Sequence, residues 1–110
     1  MNYYEFNVED KTYKLKLTVR NIVALEKAIG KNPLAIFTSD EGIPTITEMV
    51  SILFNSLQTY QHGIGMNEAY DIFEKYMETN SITDFIPVIL GIYEASGIIR
   101  NAKGNENEKN

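Results

Sequence analysis

Tyr4, Phe6 and Val8 alternate with Glu5 and Asn7, and Tyr13, Leu15 and Leu17 alternate with Lys14 and Lys16. This period of two on either side of Glu9-Asp10-Lys11 predicts a β-hairpin. A two-residue turn at Asp10-Lys11 sets Val8 opposite Tyr13, Phe6 opposite Leu15 and Tyr4 opposite Leu17. The apolar face is then continuous, and Glu5 falls opposite Lys16 on the other face. A lone hairpin is marginal in water, so it must pack on the rest of the chain.

The period then changes to that of helices. Thr18 caps a first helix, with Leu17 placed to staple onto Ile22. Val19, Ile22, Val23, Leu25 and Ile29 form its apolar side; Gly30 and Asn32-Pro33 end it. Leu34 to Phe37 is a short apolar turn, and Asp40-Glu41-Gly42 sits in a polar loop. Thr45-Ile46-Thr47-Glu48 is a capping box that opens a second helix with the stripe Ile46, Met49, Val50, Leu53 and Leu57. After a glycine-bearing connection from Thr59 to Met66, Asn67 caps a third helix. Its core stripe is Ala69, Ile72, Phe73 and Tyr76, and its opposite face is a line of acids, Glu68, Asp71, Glu74 and Glu78. A fourth helix begins at Ser81 or Asp84 with Pro87 near its first turn, and it is apolar nearly all round. That pattern predicts a central core helix, or one with a side that a partner covers. The fold class is therefore α+β: an N-terminal antiparallel hairpin packed on about four helices, one domain over residues 1–100. Residues 101–110 lack apolar side chains after Ala102 and are expected to be a disordered tail.

Composition narrows the chemistry. The 110-residue chain has room for one domain and one core. It has no cysteine, which removes disulfides, thiolate catalysis and most structural zinc sites. The start of the chain has no basic and apolar run of a signal peptide, and the apolar stretch from Phe85 to Ile99 is too short and too interrupted to span a bilayer. The net charge of −5 is uneven: residues 38–99 hold nine acids against Lys75 alone, while residues 1–37 are slightly basic. An acidic body repels phosphate backbones and favours a basic protein partner.

No catalytic, cofactor-binding or metal site emerges. His62 is the sole histidine and lies in a loop, without a serine in a nucleophile elbow. Asp40-Glu41-Gly42 lacks a calcium ligand ladder, and Gly63-Ile64-Gly65 is not followed by the lysine of a phosphate loop. Glu94 stands alone in the apolar fourth helix, at its solvent edge. The candidate protein-binding residues are Phe85, Ile89, Ile92, Ile98 and Ile99 on and after that helix, with Glu68, Asp71, Glu74 and Glu78 for charge. The outer edges of the hairpin offer a further pairing surface and leave self-association open.

Two segments carry a family resemblance. One is Leu25-Glu26-Lys27-Ala28-Ile29-Gly30-Lys31-Asn32; the other is the closing Ala95-Ser96-Gly97-Ile98-Ile99. With the hairpin before them and the acidic helix Ala69 to Tyr76 between, residues 3–100 resemble the tail assembly chaperones of long-tailed, siphovirus-type phages of low-GC Gram-positive bacteria. The resemblance implies a non-enzymatic protein made in the cytoplasm of the infected host, from a phage or prophage gene, and absent from the mature virion. It implies binding to the tape measure protein, kept soluble until the tail tube protein polymerises around it, and no catalytic residues. It also implies a longer form made by −1 ribosomal frameshifting. Glu108-Lys109-Asn110 and Lys103-Gly104-Asn105 can both be encoded by slippery heptamers, A-AAA-AAC and G-GGA-AAC. A generic bacterial adaptor or antitoxin-like binding module is the alternative.

Overall fold

The computed structural model describes residues 2–38 and 42–100. In chain order these form β1 (Tyr4–Val8), β2 (Lys11–Leu15), α1 (Val19–Ile29), a 3₁₀ turn (Pro33–Thr38), α2 (Ile46–Leu57), α3 (Met66–Met77) and α4 (Phe85–Ser96). The architecture is α+β, a two-stranded antiparallel hairpin packed on helices. Residues 101–110 and the Asp40-Glu41 part of the acidic loop lie outside the described residues.

The hairpin register differs from the one the sequence predicts. Tyr4 faces Leu15, Glu5 faces Lys14, Phe6 faces Tyr13 and Val8 faces Lys11, so the turn is Glu9-Asp10. Glu9 takes the positive φ of 56° that this turn demands. The shift moves each partner by two residues, which leaves every side chain on its face. Phe6, Val8 and Leu15 therefore still enter the core. Leu17 leaves the ladder, buries its side chain, and donates its N–H to Ser96 Oγ at 2.8 Å.

Helix starts follow the sequence closely. Thr18 Oγ1 accepts from the Asn21 N–H, while Asn21 Oδ1 accepts from the Thr18 N–H, so α1 opens on a reciprocal cap. Its buried line is Leu25 with half-buried Ile22 and Ile29; Val19, at 76% exposure, and Val23 flank that line on the outward side. Thr45 and Glu48 form the same device at α2. The cap of α3 is Gly65 rather than Asn67, and its core stripe of Ala69, Ile72, Phe73 and Tyr76 is buried as expected.

α2, not α4, is the central helix. It packs against α1, α3, α4 and β2, and most of its residues are buried. Ile46, in its first turn, is exposed, whereas Ile52, outside the predicted stripe, is fully buried. Of its buried polar residues, Asn55 and Ser56 bond within the helix: Asn55 Nδ2 donates to Ser51 O at 2.8 Å and Ser56 Oγ to Leu53 O at 3.0 Å. These local bonds let a helix with polar letters sit in the core. α4 packs on β1 and α2 and leaves Leu90 39% exposed. Phe6, Phe73, Tyr76 and Phe85 join the hairpin to α3 and α4 through ring contacts with centroids 5.1–5.9 Å apart. Burial, assisted by Asp84 and Tyr4, pushes the Tyr76 hydroxyl up to about 12.

Candidate functional site

The acids on α3 lie where the sequence places them. Glu68, Asp71, Glu74 and Glu78 are all exposed. Glu68 also faces the start of its own helix, its Oε1 accepting from the Gly65 N–H at 3.4 Å. Lys75, on the same helix, approaches Glu9 of the hairpin turn at 3.5 Å, and both side chains are well exposed.

This contact bridges a cleft of about 330 Å³ between the β1–β2 turn and α3. Val8, Tyr13, Ile64 and Ile72 supply its apolar lining. Glu9 and Asp10 rim it from the turn, and Glu68 and Asp71 from the helix. Lys11 and Lys75 also line it, so the acids outnumber the cations by two. The helical acids are legible in the sequence but the cleft is not, because Glu9 and Asp10 are about sixty residues away along the chain. A second, shallower apolar pocket of about 250 Å³ is formed by Ile43, Pro44, Thr45, Ile46 and Ile82.

The apolar candidates divide. Phe85, Ile89 and Ile92 are fully buried, so they hold the fold together and do not form an open surface. The hairpin and α2 supply the cover that the apolar pattern of α4 left unassigned. Ile98 and Ile99 are half-buried against the same core. They follow Gly97, whose φ of 80° ends α4 in the left-handed conformation, with the Ile98 N–H donating to Tyr93 O at 2.9 Å. Ser96 Oγ donates to Ile92 O while accepting from Leu17 N–H. The Ser-Gly-apolar-apolar ending thus ties α4 to the exit of the hairpin. The exposed large apolar side chains instead include Val19, Val23, Ile46, Met66, Tyr70 and Leu90.

The buried polar groups are engaged in the fold. His62 is exposed and Glu94 half-buried. The Tyr93 hydroxyl is buried and donates to Pro33 O at 2.9 Å; burial, with Glu48 nearby, pushes its pKa well up. Glu48, 7% exposed, accepts from the Thr45 N–H through Oε1 and meets Lys31 Nζ through Oε2, both at 2.8 Å. Among the described residues every buried side-chain nitrogen and oxygen has a partner, and no group of three or more His, Asp or Glu could hold a metal ion. No described helix is long and apolar enough to cross a membrane.

Residues 4–110 match the model of DUF6096, a family of unknown function, and the chain belongs to that family. Among curated proteins and solved structures, none matches it.

Proposed function

We propose that this member of DUF6096 is a non-enzymatic chaperone of phage tail assembly. It binds the tape measure protein in the cytoplasm of the infected cell and keeps it soluble until the tail tube assembles. The cleft between the hairpin turn and α3 carries this reading. Its apolar lining and acid-rich rim suit an amphipathic helix with apolar residues on one side and Lys or Arg beside them. The exposed apolar side chains of α1, α2 and α4 extend the surface available to a long client. The buried hydroxyls and Glu48 are committed to capping and helix contacts, which supports binding rather than chemistry.

Co-expression tests the proposal. A siphovirus-type tape measure protein co-expressed with this chain should move from the insoluble to the soluble fraction and co-purify at low salt. No gain in solubility together with no co-purification would overturn it. The longer frameshifted form belongs to the same proposal and is tested by the gene: it requires a slippery heptamer over codons 103–110 and an open −1 frame past the stop.

A further inference from the structure

The two edges of the hairpin are treated differently by the fold. On β2, the Lys14 N–H donates to Gln61 Oε1 at 2.8 Å and the Lys14 C=O accepts from Gln61 Nε2 at 3.0 Å. Two residues on, the Lys16 N–H donates to Ser56 O and the Lys16 C=O accepts from Thr59 Oγ1. The Gln61 side-chain amide, the Ser56 backbone carbonyl and the Thr59 hydroxyl thus stand in for a third strand. Because Lys14 turns its backbone groups away from β1, its partner Glu5 turns its own away from β2. The same alternation turns the backbone of Asn7 outward. Among the described residues the N–H and C=O groups of Glu5 and Asn7 have no partner. The edge of β1 is thus open at both Glu5 and Asn7, whereas that of β2 is closed at Lys14 and Lys16 and open at Thr12.

A helical client cannot satisfy this edge, since its backbone groups are used within the helix. The edge requires an extended strand whose apolar positions continue Tyr4, Phe6 and Val8 toward the core side. We propose that the occupant is β1 of a second copy, added antiparallel across a two-fold axis to make a four-stranded sheet, β2-β1-β1-β2. Charge selects the register. Centring the axis on Glu5 sets two carboxylates opposite each other, and centring it on Asn7 sets Glu5 opposite Glu9 of the partner copy. Both are disfavoured. Centring it on Phe6 pairs the whole of β1, from Tyr4 to Val8, with no like charges opposed. Glu5 of each copy then faces Asn7 of the other. The inference stands apart from client binding, which uses the cleft on α3.

The chain has no cysteine, so single cysteines report on this register directly. Glu5→Cys protein mixed with Asn7→Cys protein should form the mixed disulfide roughly tenfold faster than either forms its own, because facing Cα atoms about 5.5 Å apart lie within disulfide range. Sedimentation of the unmodified chain should show a reversible monomer–dimer equilibrium. Asn7→Pro deletes an outward N–H while leaving the ladder to β2 intact, and should remove the dimer while the circular dichroism spectrum is kept. Equal rates for the three disulfides, or a monomer at all concentrations up to about 1 mM, would overturn the proposal. So would a dimer seen only after residues 101–110 are deleted, since the chain would then be covering its own edge.

Discussion

The ring of Tyr4 lies directly on the backbone of Gly91, in the space that a β-carbon at that position would occupy. This contact joins the first strand to the middle of α4, and it explains a glycine inside a predominantly apolar helix. Glycine in a helix interior is less favourable than alanine by about 1 kcal/mol. Here the lost propensity is offset by close approach. Gly91→Ala should therefore destabilise the protein, by about 1–3 kcal/mol as in other overpacked cores. In combination with Tyr4→Ala the same substitution should be neutral or favourable. A thermal melt of the two single variants and the double variant measures the coupling, and a stabilising Gly91→Ala on its own would contradict it.

Ile89 and Ile92 are fully buried while Leu90 between them is exposed. Truncation of either isoleucine to alanine should cost about 2–5 kcal/mol. Leu90→Ala should stay within about 0.5 kcal/mol, as surface changes usually do. Denaturant midpoints compared across the three variants check this, and equal losses at all three would mean that α4 is covered on every side.

How much of this was legible in the sequence depends on how local each cause is. The caps at Thr18 and Thr45 are set by residues three apart, and they are found as expected. The stripe Ala69, Ile72, Phe73 and Tyr76 is likewise a matter of spacing within one helix. The hairpin register was not legible, because a slip of two residues preserves both faces and neither Glu9-Asp10 nor Asp10-Lys11 has the glycine or asparagine that would decide the turn. The central position of α2 was hidden by Ser51, Asn55 and Ser56, polar by type but bonded within their own helix or buried as short side chains. The cleft unites Glu9 and Asp10 with Glu68 and Asp71 across most of the chain, so no local pattern marks it.

Stability should depend on Glu48 in a pH-specific way. Burial pushes its carboxyl up, but the hydrogen bond from Lys31, the Thr45 N–H and the Lys31 charge outweigh this and hold the pKa below the ordinary value. The folded pKa is thus below the unfolded one. The carboxylate stabilises the fold fully above the unfolded pKa, about 4.3, and that contribution disappears as pH falls through the lowered folded value. Glu48→Gln, which keeps an acceptor for Thr45, should lower the melting temperature at neutral pH. The gap to the unmodified protein should close on acidification. A gap that persists unchanged below about pH 3 would place its origin in packing instead.

Under the proposed chaperone function, the exposed acids of α3 should act on the speed of client capture. Exposed charges are screened within about 8 Å at physiological salt, so they steer encounters more than they hold the complex. Replacing Glu68, Asp71, Glu74 and Glu78 together by the matching amides should slow association with the tape measure protein and flatten its salt dependence. Dissociation should change less. Stopped-flow mixing over a salt series separates the two rates, and a purely dissociative effect would reassign the acids to the bound interface.

The grip of Gln61 on Lys14 sets a valence. A hairpin whose second margin is largely closed pairs best through the open one, and the assembly then closes as a pair. A hairpin bare on both margins can add copies without end, and such a contact grows a ribbon instead of a closed particle. Gln61, with Ser56 and Thr59 beside it, therefore works against fibre growth by shortening what β2 can offer a further strand. A residue inserted in the turn after α2 should shift the Gln61 amide along the strand and reopen the margin at Lys14.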